Sequence, residues 1–432
     1  MLSEARASNE KKVLIVTRDF LPYYPSLGGV IRVLKMAEFL TNVGIKVYIL
    51  TARGEEISYF GYKDLVNKLN ITYIDDPLQR YNDKKMKSVS NIEINKNNNI
   101  INLCKRIIND LIIPDKGLFF VSRYVKAGLR IIKEHGIKNV IVTSPPHSTQ
   151  IIGFKLKKTP KSNINYIVDY RDSWNTTNIF SKKLLLTQCF SKKLEHNILK
   201  CADKFIYVSR PTLNKICAMY YDLSDKAVLI MNGFDINMSL DIVPNNNECY
   251  VDRKKLKIGY FGSLSSNKNS FRNPERLFNA LIKLPEYNSK IKFIIYGAVD
   301  ISKKWKDKLS EIIEIHDNVS HQEAIQLMRN MDLLMILHSQ ENGADEVITG
   351  KLFDYLLAEK PIIVVGPKNM EAVRLTKERH LGYCADDEGD VLLMLNRVYE
   401  DWKNDMLISY SLNDVQDFSR QHQYKKILDL LR

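Results

Sequence analysis

Residues Glu341 to Pro367 read ENGADEVITGKLFDYLLAEKPIIVVGP. The stretch runs from a carboxylate, Glu346, through a small pivot at Thr349-Gly350 into a short amphipathic segment, then a proline-led apolar strand. Asp354 follows Glu346 by eight residues, a rise of about 12 Å on a continuous helix. That is close to the sugar-to-ribose distance in a nucleotide diphosphate sugar. Between the two acids the spacing predicts a helix start at Thr349, Gly350 and Lys351, whose free N–H groups and positive dipole end suit a diphosphate. The same residues also fit an ordinary surface helix, with Glu346 favouring the dipole near its start and Asp354 solvated.

A helix followed by IIVVG at 362–366 is half of a βα repeat, and the pattern extends outward in both directions. Upstream, DLLMILHS reads as a strand preceded by the helix QEAIQLMRNM, and KFIIYGAVD (292–300) is a strand ending in glycine. KIGYFGSL (257–264) opens this half of the chain, with Gly262 and Ser263 at its carboxyl end, where open α/β sheets bind ligands. Lys268 and Arg272 follow as candidate cations. The polar, Asn-rich segment 237–255 before it has no pattern and marks a domain boundary. The tail DFSRQHQYKKILDLL reads as an amphipathic helix, and ADDEGD (385–390) as a solvated loop.

The first half opens in the same way. VLIVT (13–17) is a strand of β-branched residues, RDFLPYYPSLGG is a loop, and Val30 to Asn42 carries apolar residues at helical spacing before IKVYILT. Strand, glycine turn, helix and strand make a βαβ unit. Gly28-Gly29 lets backbone approach an anion at the helix entrance, although many α/β turns contain glycine. Residues 55–115 read as a long exposed connection. The segment from Asn102 to Arg130 mixes apolar residues with Lys and Arg, as does the helix 181–200 with its Lys pairs. Such basic faces suit anionic lipid headgroups or the solvated side of core helices. NVIVTSPPHST then runs from a strand into a proline-led helix start that places His147 at the strand's carboxyl end, and INYIVD leads into DYRDSW (169–174). His147 is a candidate hydrogen-bond partner or proton acceptor for a hydroxyl. Asp172 is a second candidate there, or a helix cap. AVLIMNGFD (227–235) ends this half in a turn.

At 432 residues the chain can hold two cores. Its 45% apolar and 26% charged content is that of a globular protein. No apolar run approaches the ~20 residues of a membrane span, and MLSEARASNE lacks a signal-peptide core, so a cytoplasmic location is expected. The six cysteines contain no C-x-x-C pair, which argues against a zinc site or disulfide framework. A net charge of +14 suits nucleic acid, an anionic membrane or a phosphorylated substrate. The lysines are dispersed rather than striped among aromatics, unlike a nucleic-acid surface, so no nucleic-acid partner is expected.

Taken in order, the GG turn, SPPHS, DYRDSW, NGFD, the second-half opening and the acid-x7-acid segment resemble retaining GT-B glycosyltransferases of the family-4 type, which build bacterial surface polysaccharides. The resemblance implies two doubly wound Rossmann-like domains facing across a cleft. The expected divisions are an acceptor-binding domain at 1–238, a nucleotide-sugar domain at 239–405, and a C-terminal helix at 406–432 crossing back. In that family the first acid contacts the donor sugar and the second, usually glutamate, the ribose; here the second is Asp354, one methylene shorter. The GG turn faces the donor phosphates, and the SPPHS and DYRDSW loops line the acceptor side. An Arg normally follows the glycine of the second-domain strand, with a Lys beyond it, both neutralising the leaving diphosphate. Ser263 occupies the Arg position; Lys268 is the Lys candidate, with Arg272 able to substitute. The resemblance therefore assigns Glu346, Asp172 and His147 to catalysis. To the donor it assigns Gly28, Gly29, Gly262, Ser263, Lys268, Arg272, Thr349, Gly350, Lys351 and Asp354. No D-x-D follows a strand, so no metal is expected, and no cofactor beyond the nucleotide sugar co-substrate. The acceptor implied is a glycan, lipid-linked at the inner membrane face. A GT-B sugar-nucleotide epimerase, a non-catalytic sugar-nucleotide binder and a nucleic-acid-binding protein remain alternatives.

Overall fold

The computed structural model describes residues 11–24, 27–54, 62–76, 110–177, 183–236, 255–267, 270–285, 289–340 and 343–432. The chain separates into two compact units: Met1–Val208 with Thr212–Met231 and Tyr424–Arg432, and Ser209–Pro211 with Asn232–Gln423.

The first unit is a seven-stranded parallel sheet in the order β3-β2-β1-β4-β5-β6-β7. Its strands are β1 (Lys12–Val16), β2 (Lys46–Arg53), β3 (Asn70–Asp75), β4 (Asn139–Ser144), β5 (Asn165–Tyr170), β6 (Lys204–Tyr207) and β7 (Ala227–Leu229). Strands covered on both faces need no polar alternation, which explains the unbroken apolar runs. In β1, Leu14 and Val16 enter the core on one face, and Val13 and Ile15 the core on the other. The helices are α1 (Leu27–Asn42), α2 (Lys63–Asn67), α3 (Val121–His135), α4 (Ser148–Lys158), α5 (Leu185–Cys201) and α6 (Arg210–Met219). Asn70–Asp75 was expected to lie in a connection. It is instead an edge strand with only half-buried or exposed side chains, too weakly apolar to announce itself. Lys63–Asn67, within the same expected connection, is the short helix α2, and residues 55–61 and 77–109 lie outside the described residues.

The second unit is a six-stranded parallel sheet in the order β12-β10-β8-β13-β14-β15, with a small β11-β9 pair. The strands are β8 (Leu256–Phe261), β9 (Leu264–Ser265), β10 (Ile291–Tyr296), β11 (Val299–Asp300), β12 (Ile313–His316), β13 (Leu333–Leu337), β14 (Ile362–Val365) and β15 (Gly382–Ala385). The helices are α7 (Glu275–Ile282), α8 (Lys303–Lys308), α9 (His321–Arg329), α10 (Gly350–Ala358), α11 (Glu371–Glu378) and α12 (Glu388–Lys403); α13 (Arg420–Leu428) starts in this unit and belongs to the first from Tyr424.

In both sheets the chain reverses its direction of build at a central pair, β1/β4 and β8/β13. Ligands of open α/β sheets lie outside the carboxyl ends of such strands. The tail differs from a single helix over 406–432: Leu412–Phe418 is a 3₁₀ segment and only the chain from Tyr424 joins the first unit. There Tyr424 Oη donates to the Arg32 carbonyl at 3.2 Å and Lys426 Nζ to that of Leu229 at 3.1 Å. The Leu430 carbonyl accepts from Asn165 at 2.7 Å. Among the described residues no helix is long and apolar enough to cross a membrane.

Candidate active site

In the second unit, β8 ends at Phe261, and Gly262 turns the chain at φ 123°. A side chain there would be strained and would meet Lys351 as well, since a Cβ would lie 2.8 Å from its Cε and 2.9 Å from its Nζ. Glycine is thus what lets Lys351 reach across from the first turn of α10. The ammonium also sits 3.8 Å from the Tyr260 ring centroid, while Tyr260 Oη donates to the Ser263 carbonyl at 2.8 Å. Burial, with Arg272 adding to it, brings the Lys351 pKa down to about 6. Arg272 lies against position 263, its Nη1 donating to Ser263 Oγ at 2.7 Å. His338, directly after β13, is 5% exposed, and its Nδ1 has no hydrogen-bond partner. Burial first, then Arg272 and Lys351, hold its pKa down at about 4, so it is neutral near pH 7. It lines a recess of about 360 Å³ with Asn273, Arg276, Ser339 and Gln340.

These residues converge because three chain segments end at one place. The β8 turn brings Gly262-Ser263, the following loop brings Arg272, and α10 brings Lys351. Thr349 caps that helix, its hydroxyl accepting from Lys351 N at 3.3 Å. A Cβ on Gly350 would meet open space. Lys268 lies outside the described residues. Glu346 is 4% exposed, but the helical rise from it to Asp354 does not hold: Glu346 lies in a turn and α10 begins only at Gly350. Asp354 is on α10 and engages His321 Nε2 at 3.0 Å. That hydrogen bond is the main cause of a raised His321 pKa.

Sequence reading named neither His321 nor His338, nor a stack of three rings at adjacent strand ends. Phe261 lies on Tyr296 (5.0 Å, 9°) and Tyr296 on His316 (4.6 Å, 13°). Each closes its strand, so the three fall in register; only the assembled sheet makes the stack visible.

In the first unit, α1 begins at Leu27, three residues before the expected start at Val30, so Gly28-Gly29 falls inside its first turn. Arg171 fixes this turn by donating to the carbonyls of Gly29 and Pro145, so it is a clasp between loops. His147 precedes α4, is 8% exposed, and stacks on Trp174 at 5.2 Å and 9°. Burial holds its pKa at about 4, against an opposing pull from Asp115, and Nδ1 has no partner. A neutral imidazole is suited to a hydrogen bond with a hydroxyl more than to holding its proton at pH 7. Asp172 is exposed beside Arg171. Asp19, in the loop after β1, was not singled out from the sequence; burial raises its pKa to about 6, opposed by Arg171 and Arg18.

No family model matches the chain, and no curated protein does. Solved structures do. A glycosyltransferase from Rickettsia africae superposes with a TM-score of 0.62 at 17% identity, covering 98% of both chains. Sucrose-phosphate synthase from Thermosynechococcus elongatus gives 0.67 at 12%, again over 98% of each. Anabaena HepE, solved in complex with UDP and glucose, gives 0.61 at 13%, over 97% of this chain and 99% of that one. The fold is GT-B. In GT-B terms, the carboxyl ends that carry Gly262, Lys351 and Arg272 in one unit, and Gly29, His147 and Arg171 in the other, are the ligand ends of the two sheets.

Proposed function

We propose that this GT-B chain is a glycosyltransferase that moves a sugar from a nucleotide diphosphate sugar to a hydroxyl of a lipid-linked glycan acceptor, as in surface-polysaccharide synthesis, with retention of configuration and without a metal. The observation that carries this reading is the cation cluster at Gly262. Lys351 is desolvated, and Arg272 opposes its charge more strongly than the carboxylate of Asp354 supports it. Such a group needs an anion to hold its charge. A diphosphate at the start of α10 would restore the ammonium, and Lys351 and Arg272 would stabilise negative charge as the sugar leaves. One of the similar folds is a glycosyltransferase, and another, HepE, was solved in complex with UDP-glucose.

In this reading Glu346 orients the donor sugar and Asp354, steadied by His321, takes the ribose hydroxyls. Neutral His147 and Asp172 hold the acceptor hydroxyl, whose proton passes to the departing phosphate on the same face. Melting temperature against a panel of nucleotides and nucleotide sugars tests it. One nucleotide diphosphate sugar should raise the midpoint by linkage and yield a sugar–acceptor product; no shift with any of them, in folded protein, overturns it. A nucleotide sugar altered with no acceptor product would point to epimerisation instead.

The ribose contact has its own test. Asp354→Asn should weaken the ribonucleoside diphosphate about tenfold, the loss of one charge-assisted hydrogen bond. Its effect on the 2′,3′-dideoxy analogue, measured by calorimetry, should be small. Equal losses for both would show that Asp354 only holds α10 against His321.

A further inference from the structure

The first unit carries a cluster of apolar side chains in water that the transfer chemistry does not use. Leu185, Leu186 and Phe190 on α5 are 79%, 74% and 65% exposed, and Leu111 and Phe119 are 60% and 63%. Single exposed leucines are ordinary. These belong to two segments joined by a hydrogen bond, since Lys183 Nζ, just before α5, donates to the Ile112 carbonyl at 3.1 Å. Among the described residues the exposed charge of these segments is mainly basic. Lys116, Arg123, Lys126, Lys192 and Lys193 are exposed. Of the acids in these segments, Glu195 is buried, Asp110 is half-buried, and Asp115 accepts from the N–H groups of Gly117 and Ser148, both at 2.9 Å. Exposed apolar side chains on segments that also carry exposed cations match the interfacial zone of an anionic bilayer, where hydrocarbon lies beneath a layer of phosphate.

We infer that Leu111, Phe119, Leu185, Leu186 and Phe190 form a bilayer-docking surface that seats the first unit on anionic lipid. The surface adjoins the acceptor loops directly, because Asp115 lies between Leu111 and Phe119 and holds the N–H of Ser148, the neighbour of His147. A sugar acceptor anchored in the same leaflet would reach His147 by a short path along the membrane. This deepens the lipid-linked reading of the acceptor and rests on it for the cargo alone. The docking itself requires no nucleotide sugar.

Co-sedimentation of the full chain with phosphatidylcholine vesicles, with and without phosphatidylglycerol, tests the inference. Wild type should pellet with the anionic vesicles and be released by salt. Lys192→Gln with Lys193→Gln should weaken binding roughly 20-fold, about fivefold for each lysine. Leu185→Ser with Leu186→Ser and Phe190→Ser should abolish it; positions largely in solvent permit this without loss of fold, which the melting temperature checks. No binding by wild type, or equal binding by the serine variant, overturns the proposal. So does a concentration-dependent dimer that the serine variant abolishes, since the patch would then belong to a second copy. Because the assay contains no donor, its failure leaves the glycosyltransferase reading standing, whereas failure of the nucleotide panel leaves the docking surface standing.

Discussion

Lys351→Met should reduce sugar transfer by about 10²–10³-fold, the effect of removing one preorganised charge from a developing anion, without lowering the melting temperature. The two halves of this expectation have one cause. Burial and Arg272 hold the Lys351 pKa near 6 in the free protein, so at pH 7.5 most molecules carry a neutral amine there. Keeping a lysine desolvated works against folding, because the unfolded chain holds its proton up to the ordinary value. An unbranched apolar side chain over the Tyr260 ring removes that penalty. It removes equally the only group of α10 that can become an ammonium at Gly262. Diphosphate binding must reverse the pKa shift, so it should take up a proton between pH 6 and the raised pKa of the complex. Affinity for a nucleoside diphosphate should then fall as pH rises through that window, by up to about tenfold per unit. Calorimetry in two buffers of different ionisation enthalpy would show proton uptake at pH 7.5 in wild type and none in Lys351→Met. Equal uptake in the two would place the titrating group elsewhere; unchanged turnover would remove Lys351 from the site.

Much of this architecture could be read from the chain, and the physical reason is plain. Parallel strands covered on both faces produce unbroken runs such as VLIV and IIVV, and the turns at their carboxyl ends announce the ligand side. What could not be read depends on groups far apart in sequence. Arg272 was legible as a candidate cation, but its hydrogen bond to Ser263, nine positions away, appears only once the chain has turned back after β9. Lys351 was legible as a helix-start residue, but its depressed pKa depends on Tyr260, Gly262 and Arg272 surrounding it. His321 is one of many polar residues until α9 lies against α10 and pairs it with Asp354. Local calls for shape failed for another reason. The glycine pair was expected before a helix that in fact contains it, because the first turn, with its N–H groups unpaired, tolerates glycine better than a helix interior does. The even spacing of Glu346 and Asp354 suggested one continuous rise, yet Thr349 caps the helix three residues after Glu346 and makes that residue part of a turn. Net charge gave only a sign.

The division between turn and helix sets the second large effect. Glu346→Gln should lower transfer about 10²-fold, the order expected when a reacting sugar loses its alignment, while leaving the affinity for a nucleoside diphosphate without sugar within about twofold. The cations for the phosphates stand on α10 and in the loop after β8, whereas Glu346 stands on a separate turn held through its backbone, its N–H donating to the Gly343 carbonyl at 3.3 Å and its own carbonyl accepting from Ser209 Oγ at 2.8 Å. The glutamine is isosteric, so the turn keeps its shape while the carboxylate charge and one acceptor oxygen are lost. Lys351→Met, by contrast, should weaken the sugar-free diphosphate and the nucleotide sugar alike. Measuring both ligands on both variants separates the roles: a sugar-specific loss at Glu346 with a general loss at Lys351 supports one site with two parts. If Glu346→Gln weakened the sugar-free diphosphate as much as the nucleotide sugar, its carboxylate would be holding the turn that leads into α10, and alignment of the donor sugar would have to come from another residue.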